Sequence, residues 1–221
     1  MERKNWFKWK HYQPDIILLT VRWYLRYNLS FRDLVEMMEE RGLSISHTTI
    51  MRWVHQYGPE LDKRIRRYLK QTNDSWRVDE TYIKVKGQWM YLYRAVDSKG
   101  NTIDFYLSKA RNHKAAKPRV ITVDKNPAYP LAIEQLKKEK SIPNGMRLRQ
   151  QKYLNNIVEQ DHRFIKKRIR SMLGFKSFDT ATSILSGVEA MHMIKKEQID
   201  LRDPSVQNQK EFIHQLFGLV A

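Results

Sequence analysis

Trp76-Arg77-Val78-Asp79-Glu80-Thr81-Tyr82-Ile83-Lys84-Val85-Lys86-Gly87 is rich in β-branched and aromatic residues and closes on a Lys-Gly pair suited to a tight turn. The segment predicts a strand over roughly Ser75 to Val85. Working outward, a second strand is predicted over Trp89 to Asp97, a turn at Ser98-Lys99-Gly100-Asn101, and a third strand over Thr102 to Leu107. These three form an antiparallel meander. After Pro118 comes a short apolar strand, Arg119-Val120-Ile121-Thr122-Val123-Asp124, then a helix through Ile133 and Leu136 and a loop around Pro143-Asn144-Gly145. The order predicts an α/β core, a mixed sheet with flanking helices, and the pattern alone leaves its topology open.

Two of these strands carry an acid of interest, Asp79 within the first and Asp124 at the end of the fourth. A third acid, Glu159, lies in a segment from about Leu154 to Met172 that reads as an amphipathic helix. At about 100° per residue, Leu154, Ile157, Val158, Ile165, Ile169 and Met172 fall on one apolar stripe. Asn155, Glu159, His162, Lys166 and Arg170 form a second stripe beside it. Taken singly, Glu159 is better read as a helix-surface acid pairing with a base three or four residues away. Taken together, three clustered carboxylates repel one another unless a hard cation with oxygen ligands compensates them, so the set suits a divalent-metal site. Glu80 is set aside because it points to the opposite side of the strand from Asp79, and Asp97 and Asp104 because they sit at strand ends or turns. Asp161 is set aside because it lies about 200° from Glu159 around the helix.

The chain carries 41 Lys and Arg against 24 Asp and Glu, a formal net charge of +17. Such an excess predicts a polyanionic partner, and with the three acids it points to cutting and joining of DNA. A ribosomal or histone-like basic protein is the plain alternative. Aromatic residues make up 11% of the chain and are interleaved with apolar periodicity, which favours folded domains. No apolar run is long enough to span a membrane, and the start lacks the apolar core of a signal peptide. The absence of cysteine excludes disulfides and thiolate zinc sites and fits a cytoplasmic setting.

Residues 1–60 read as helical. One helix is predicted over Asp15 to Tyr27 and a second from Ser30 to about Glu40, with Ser30 and Asp33 as a capping-box-like start. Arg41-Gly42-Leu43 makes a turn, and a third helix opens at Ser46 and stops at Gly58-Pro59. This order matches a helix-turn-helix whose last helix enters the major groove, with His47, Thr48, Thr49 and Arg52 toward DNA and Ile50, Trp53 and Val54 packed inward. A plain three-helix bundle has the same pattern. The expected organisation is therefore a helix-turn-helix domain over 1–60, a basic linker over 61–75, a catalytic domain over 76–200 and a tail over 201–221.

The strand around Asp79, together with Tyr91-Leu92-Tyr93-Arg94-Ala95-Val96-Asp97, Val120-Ile121-Thr122-Val123-Asp124 and Tyr153-Leu154-Asn155-Asn156-Ile157-Val158-Glu159-Gln160-Asp161-His162-Arg163, resembles the insertion sequence 6 family of DDE transposases. The resemblance covers nearly the whole chain. It implies a ribonuclease-H-like core in which Asp79, Asp124 and Glu159 are catalytic and hold two Mg²⁺ ions, with Mn²⁺ an acceptable substitute. It further implies that Lys166 lies near bound DNA, and Asn155, His162 and Arg170, from the same polar stripe, are expected to bind DNA with it. The implied function is binding of double-stranded terminal inverted repeats, cleavage, and strand transfer into target DNA by a homodimer or higher oligomer at the bacterial nucleoid.

One departure from the family pattern bears on activity. Between the third and fourth strands similar transposases have a helix, whereas Arg111 to Pro118 is all this chain offers. Eight extended residues reach about 26 to 29 Å, barely enough to recross the meander, and leave no helix on that sheet face. The alternative function is accordingly a catalytically impaired deletion derivative acting as a DNA-binding regulator or competitor. A ribonuclease-H-like nuclease that cuts without joining is a third reading, which accounts less well for the helix-turn-helix.

Overall fold

The computed structural model describes residues 6–8, 10–73, 75–109, 120–123, 127–139, 147–150, 156–172, 174–201 and 203–219. The chain divides into two units, one made of Met1–Lys70 with Arg168–Ala221 and the other of Gln71–Lys167.

The first unit is helical. Helix α1 (Pro14–Arg26) starts with proline in its first turn, where the missing N–H costs nothing, and buries Ile17, Leu18, Val21 and Leu25 at helical spacing. Helix α2 (Phe31–Glu39) opens with the predicted capping box. The Asp33 N–H donates to Ser30 Oγ at 3.1 Å, and the Ser30 N–H donates to the Asp33 carboxylate at 2.7 Å. Gly42, at φ +72°, supplies the left-handed turn into helix α3 (His47–Ile65), whose N-cap Ser46 accepts from the Thr49 N–H. Ile50, Trp53 and Val54 are buried, as the helix-turn-helix pattern requires.

The predicted stop at Gly58-Pro59 is corrected by the structure, because α3 continues to Ile65. Gly58 serves close packing here. A Cβ on it would lie 3.1 Å from the Ser183 carbonyl oxygen and 3.5 Å from Gly187 Cα. Both contacts belong to helix α6 (Phe178–Lys195). Residues 61–70, expected in the linker, belong to this unit, with Leu61 and Ile65 in its core. So do α6 and helix α7 (Val206–Leu216), which the sequence reading had divided between the catalytic region and a tail. A single 3-10 turn at Arg66–Tyr68 follows α3, and Leu69 then bridges Ile199.

The second unit is built on a five-stranded sheet of β1 (Ser75–Val85), β2 (Gln88–Asp97), β3 (Thr102–Ser108), β4 (Val120–Val123) and β5 (Arg147–Gln150). Their order is β3-β2-β1-β4-β5, with β1, β2 and β3 antiparallel and β4 and β5 parallel to β1. The predicted meander is present, its β1–β2 turn formed by Lys86 and Gly87 at positive φ. Strand β5 was not predicted. Arg119 and Asp124, expected at the ends of the fourth strand, and the short connection over Arg111 to Pro118 lie outside the described residues.

Helix α4 (Ala128–Lys138) joins the parallel strands and packs Tyr129, Ile133 and Leu136 on Val123, Val78 and Leu148. That is the sheet face of the even-numbered β1 residues, where Tyr82, Trp89 and Tyr106 are exposed further along the meander. The odd-numbered face buries Thr81, Ile83 and Val85.

Helix α5 (Asn156–Arg170) begins in the second unit, and its residues from Arg168 are counted in the first. Val158 and Ile165 are fully buried as predicted, whereas Ile157 is largely exposed, a methyl of its side chain facing Gly100. Arg168 is fully buried. Its guanidinium donates to the backbone carbonyls of Tyr24 and Leu29 and lies 4.5 Å from the Tyr24 ring centroid. The Tyr24 carbonyl is among those that the end of α1 leaves without helical partners, so a cation there satisfies hydrogen bonds and the helix dipole together. Burial lowers Arg168 to about 10, which still leaves it charged at neutral pH, and raises the Tyr24 hydroxyl to about 12.

Candidate active site

Asp79 stands directly across the β1–β2 ladder from Arg94, so both side chains leave the same face of the sheet. The sequence shows how an arginine comes to be there. On β2 the alternation Leu92, Arg94, Val96 is an inward-facing row, and all three residues are completely buried. A buried guanidinium requires a partner. Asp161 supplies it, with Arg94 Nη2 2.9 Å from Asp161 Oδ2.

The next residue on α5 meets the acid itself. His162 Nδ1 lies 3.7 Å from Asp79 Oδ2, a contact rather than a hydrogen bond at that length. Burial is the main reason the imidazole is pushed down to about 3, with the positive charges of Arg94 and Lys166 adding to it and Asp161 opposing. His162 is therefore neutral at physiological pH and does not form an ion pair with Asp79. Its Nε2 is buried and has no hydrogen-bond partner.

Around α5, consecutive residues are separated by about 100°. Asp161 therefore points toward β2 and His162 toward β1, and Glu159 lies about 60° further round in the same sense. On that side of β1 is β4, which pairs Arg77 with Thr122 and ends at Val123. Asp124, one peptide beyond Val123, lies outside the described residues. Among the described residues no group of three His, Cys, Asp or Glu is arranged to hold a metal ion. The available donors, the half-buried Asp79 carboxylate and the exposed Glu159 carboxylate, are hard oxygen ligands of the type a magnesium-sized cation takes.

The remaining acids behave as the alternation dictates. Glu80 is on the opposite face and accepts from the Tyr82 hydroxyl at 3.3 Å. Asp97 organises the β2–β3 turn by accepting from the N–H groups of Lys99 and Asn101 at 2.9 Å each.

The DDE domain family matches residues 73–198, and the Transposase IS66 family matches residues 12–129. The transposase for insertion sequence-like element IS431mec of Staphylococcus aureus is 38% identical, the match covering 87% of this chain and 90% of that protein. The chain belongs to the insertion sequence 6 family of DDE transposases. The transposase of IS257 in transposon Tn4003, also from Staphylococcus aureus, matches to the same extent. The alignment runs over 205 positions yet takes in 87% of the 221 residues, so gaps fall on the side of this transposase. Among solved structures, the HTLV-2 integrase catalytic core domain in complex with magnesium, in its trimeric form, is 17% identical with a TM-score of 0.39, over 53% of this chain and 83% of that one. The transposase has the mixed α/β core expected from its sequence, a five-stranded sheet with flanking helices. None of its described helices is long and apolar enough to cross a membrane.

Of the residues expected to face DNA, His47, Thr48 and Arg52 are exposed on the first turns of α3. Thr49 is half-buried, its hydroxyl 2.9 Å from Ser46 Oγ. Lys166 and Arg170 are exposed on α5. His162 is corrected, because it is 5% exposed and faces Asp79 instead of solvent. Its position about 40° from Val158 around the helix puts it on the buried arc. Asn155 lies outside the described residues. Arg94 was missed altogether, although a charged residue on the inward row of a strand was a readable signal. Asp161, set aside because it points away from Glu159, does point away, and it reaches Arg94.

Proposed function

We propose that this transposase binds the terminal inverted repeats of its element through the helix-turn-helix within residues 1–60 and joins DNA strands with Asp79, Asp124 and Glu159. The observation that carries the reading is the contact of His162 with Asp79. With His162 held there, helical spacing turns Glu159, one turn earlier, toward the β4 side of the helix, which supports its acting together with Asp79.

In this reading the three carboxylates hold divalent magnesium, with manganese able to replace it. When bound, the metal supplies Lewis-acid polarisation of the scissile phosphate and activation of the attacking oxygen. Lys166 and Arg170, exposed on the same helix, draw the phosphate backbone toward the carboxylates. His47, Thr48, Thr49 and Arg52 read base edges, and the basic stretch 61–75 follows the backbone. The neutral His162 keeps water and positive charge away from the inner side of Asp79. Synapsis of two element ends calls for a homodimer or higher oligomer, acting on the bacterial nucleoid.

The test is strand transfer by purified protein with labelled terminal-repeat DNA and Mg²⁺, beside Asp79→Asn and Glu159→Gln. Joined products are expected from the natural chain and from neither variant, while both variants still bind the ends. A natural chain that binds ends but joins nothing would instead make it a DNA-binding competitor. Undiminished joining by Asp79→Asn would remove the proposed site.

A further inference from the structure

We infer that the buried Arg94–Asp161 ion pair is a positioning device that fixes the rotation and register of α5 on the sheet and thereby sets where Glu159 stands relative to Asp79. The inference rests on the proposed roles of those two acids and adds a pair to which no role is otherwise assigned.

Four observations carry it. Arg94 is the direct cross-strand neighbour of Asp79, so the anchor point and the reactive acid are one strand spacing apart on a rigid ladder. The Arg94 side chain is wholly excluded from solvent, and that of Asp161 is 11% exposed. Asp161 and His162 are consecutive, and they touch Arg94 and Asp79 respectively, so two adjacent residues of the helix are matched to two adjacent strands. Of the other buried residues of α5, Val158 and Ile165 are aliphatic, and Arg168 is tied to the backbone carbonyls of Tyr24 and Leu29 rather than to the sheet.

Aliphatic packing is non-directional, and by itself it would tolerate a helix turned by tens of degrees or slid along its axis. A buried guanidinium held by a carboxylate does not tolerate that, because a misplaced helix breaks an ion pair inside the core. Glu159 is exposed, and among the described residues no hydrogen bond or ion pair holds it. Its location is inherited from the buried side of its helix, two residues away. A one-residue error in the seating of α5 would swing Glu159 by about 100° and take it out of reach of a shared cation.

The experiment compares the natural chain with Asp161→Asn, which keeps the side-chain shape, and with the double variant Arg94→Met/Asp161→Leu, which fills the same volume without charge. Three quantities are read: end binding, strand transfer, and Mn²⁺ affinity by calorimetry without DNA. Both variants are expected to bind terminal-repeat DNA as the natural chain does, to bind Mn²⁺ at least tenfold more weakly, and to need correspondingly more metal for half-maximal joining. Arg94→Lys, which keeps the charge but loses the planar fork, should recover part of the metal affinity.

Natural Mn²⁺ affinity and natural joining in Asp161→Asn, or in a folded double variant, would overturn the inference. Asp79→Asn run alongside separates the two levels. If Asp79→Asn is inactive while the pair variants are fully active, only the positioning role fails. If Asp79→Asn joins normally, the proposed site itself fails.

Discussion

Gly187→Ala is expected to destabilise the helical unit although it replaces glycine by the best helix former in the middle of α6. A Cβ at Gly187 would meet both methyls of Leu25 at 2.8 Å and Gly58 Cα at 2.9 Å. Leu25 is completely buried, and the Gly58 atom is backbone that cannot swing aside, so α3 and α6 must separate. Overpacking of that kind costs about 1–3 kcal/mol, and the change from glycine to alanine returns about 1 kcal/mol of helix propensity. The net expectation is a loss of up to about 2 kcal/mol, read as a fall in melting temperature of about 2–4 °C per kcal/mol in a chain of this length. The assay is thermal and urea unfolding followed by far-ultraviolet circular dichroism. Gly58→Ala is the internal control. Its added Cβ meets the Ser183 oxygen at 3.1 Å and Gly187 Cα at 3.5 Å, so its cost should be nearly cancelled by the propensity gain. The double variant should lose more than the sum, because both methyls claim one space. A Gly187→Ala protein stabilised by the full propensity difference would refute the close α3–α6 crossing.

Arg52→Ala should reduce the preference for terminal-repeat DNA over unrelated DNA, because Arg52 is exposed on the first turns of α3 and a base contact by arginine is worth about 1–3 kcal/mol of discrimination. Competition binding at fixed salt checks this, and an unchanged preference would move base reading elsewhere. Acid should destabilise the fold from the histidine range downward. His55 and His214 are both lowered below their usual 6.5, burial being the first cause for each, with neighbouring Lys210 adding to it at His214. Between their folded values and 6.5 the unfolded chain binds more protons, so stability is intact above 6.5 and is lost as pH falls through that window. Urea midpoints measured from pH 8 to 5 test it, and His55→Gln with His214→Gln should reduce the dependence, leaving the share of His162, which is lowered to about 3.

The meander, the capping box at Ser30 and the inward row of α3 were legible because each is written in local periodicity or in a reciprocal side-chain pair. The extension of α3 through Gly58-Pro59 was not. Gly58 there lies close against Gly187 of α6, more than a hundred residues away in sequence, a contact that no local pattern reveals. Strand β5 was illegible for a different reason. Arg147-Leu148-Arg149-Gln150 has one apolar residue and pairs only with β4, so neither alternation nor hydrophobicity marks it. The acids Asp79 and Glu159 were found by their element types, but the polar layer beneath them was not, since a cross-strand neighbour such as Arg94 is known only once the register is known.

That polar layer explains why the core can accept charge where the sequence suggests plain amphipathic packing. His162 sits between Asp79 and a region made positive by Arg94 and Lys166, and it stays neutral because protonation there is opposed by burial and by both cations. A protonated histidine at 3.7 Å from Asp79 would compete for the carboxylate, whereas a neutral ring fills space without doing so. Asp161 in turn absorbs the charge of Arg94 at 2.9 Å, which limits how strongly the guanidinium can draw on Asp79 across the ladder. The two consecutive residues of α5 therefore act on opposite sides of one problem. One satisfies the buried cation, and the other covers the inner edge of the acid without adding a charge. An exposed Glu159 one turn earlier is then left on the open side of the helix, where oxygen ligands remain accessible.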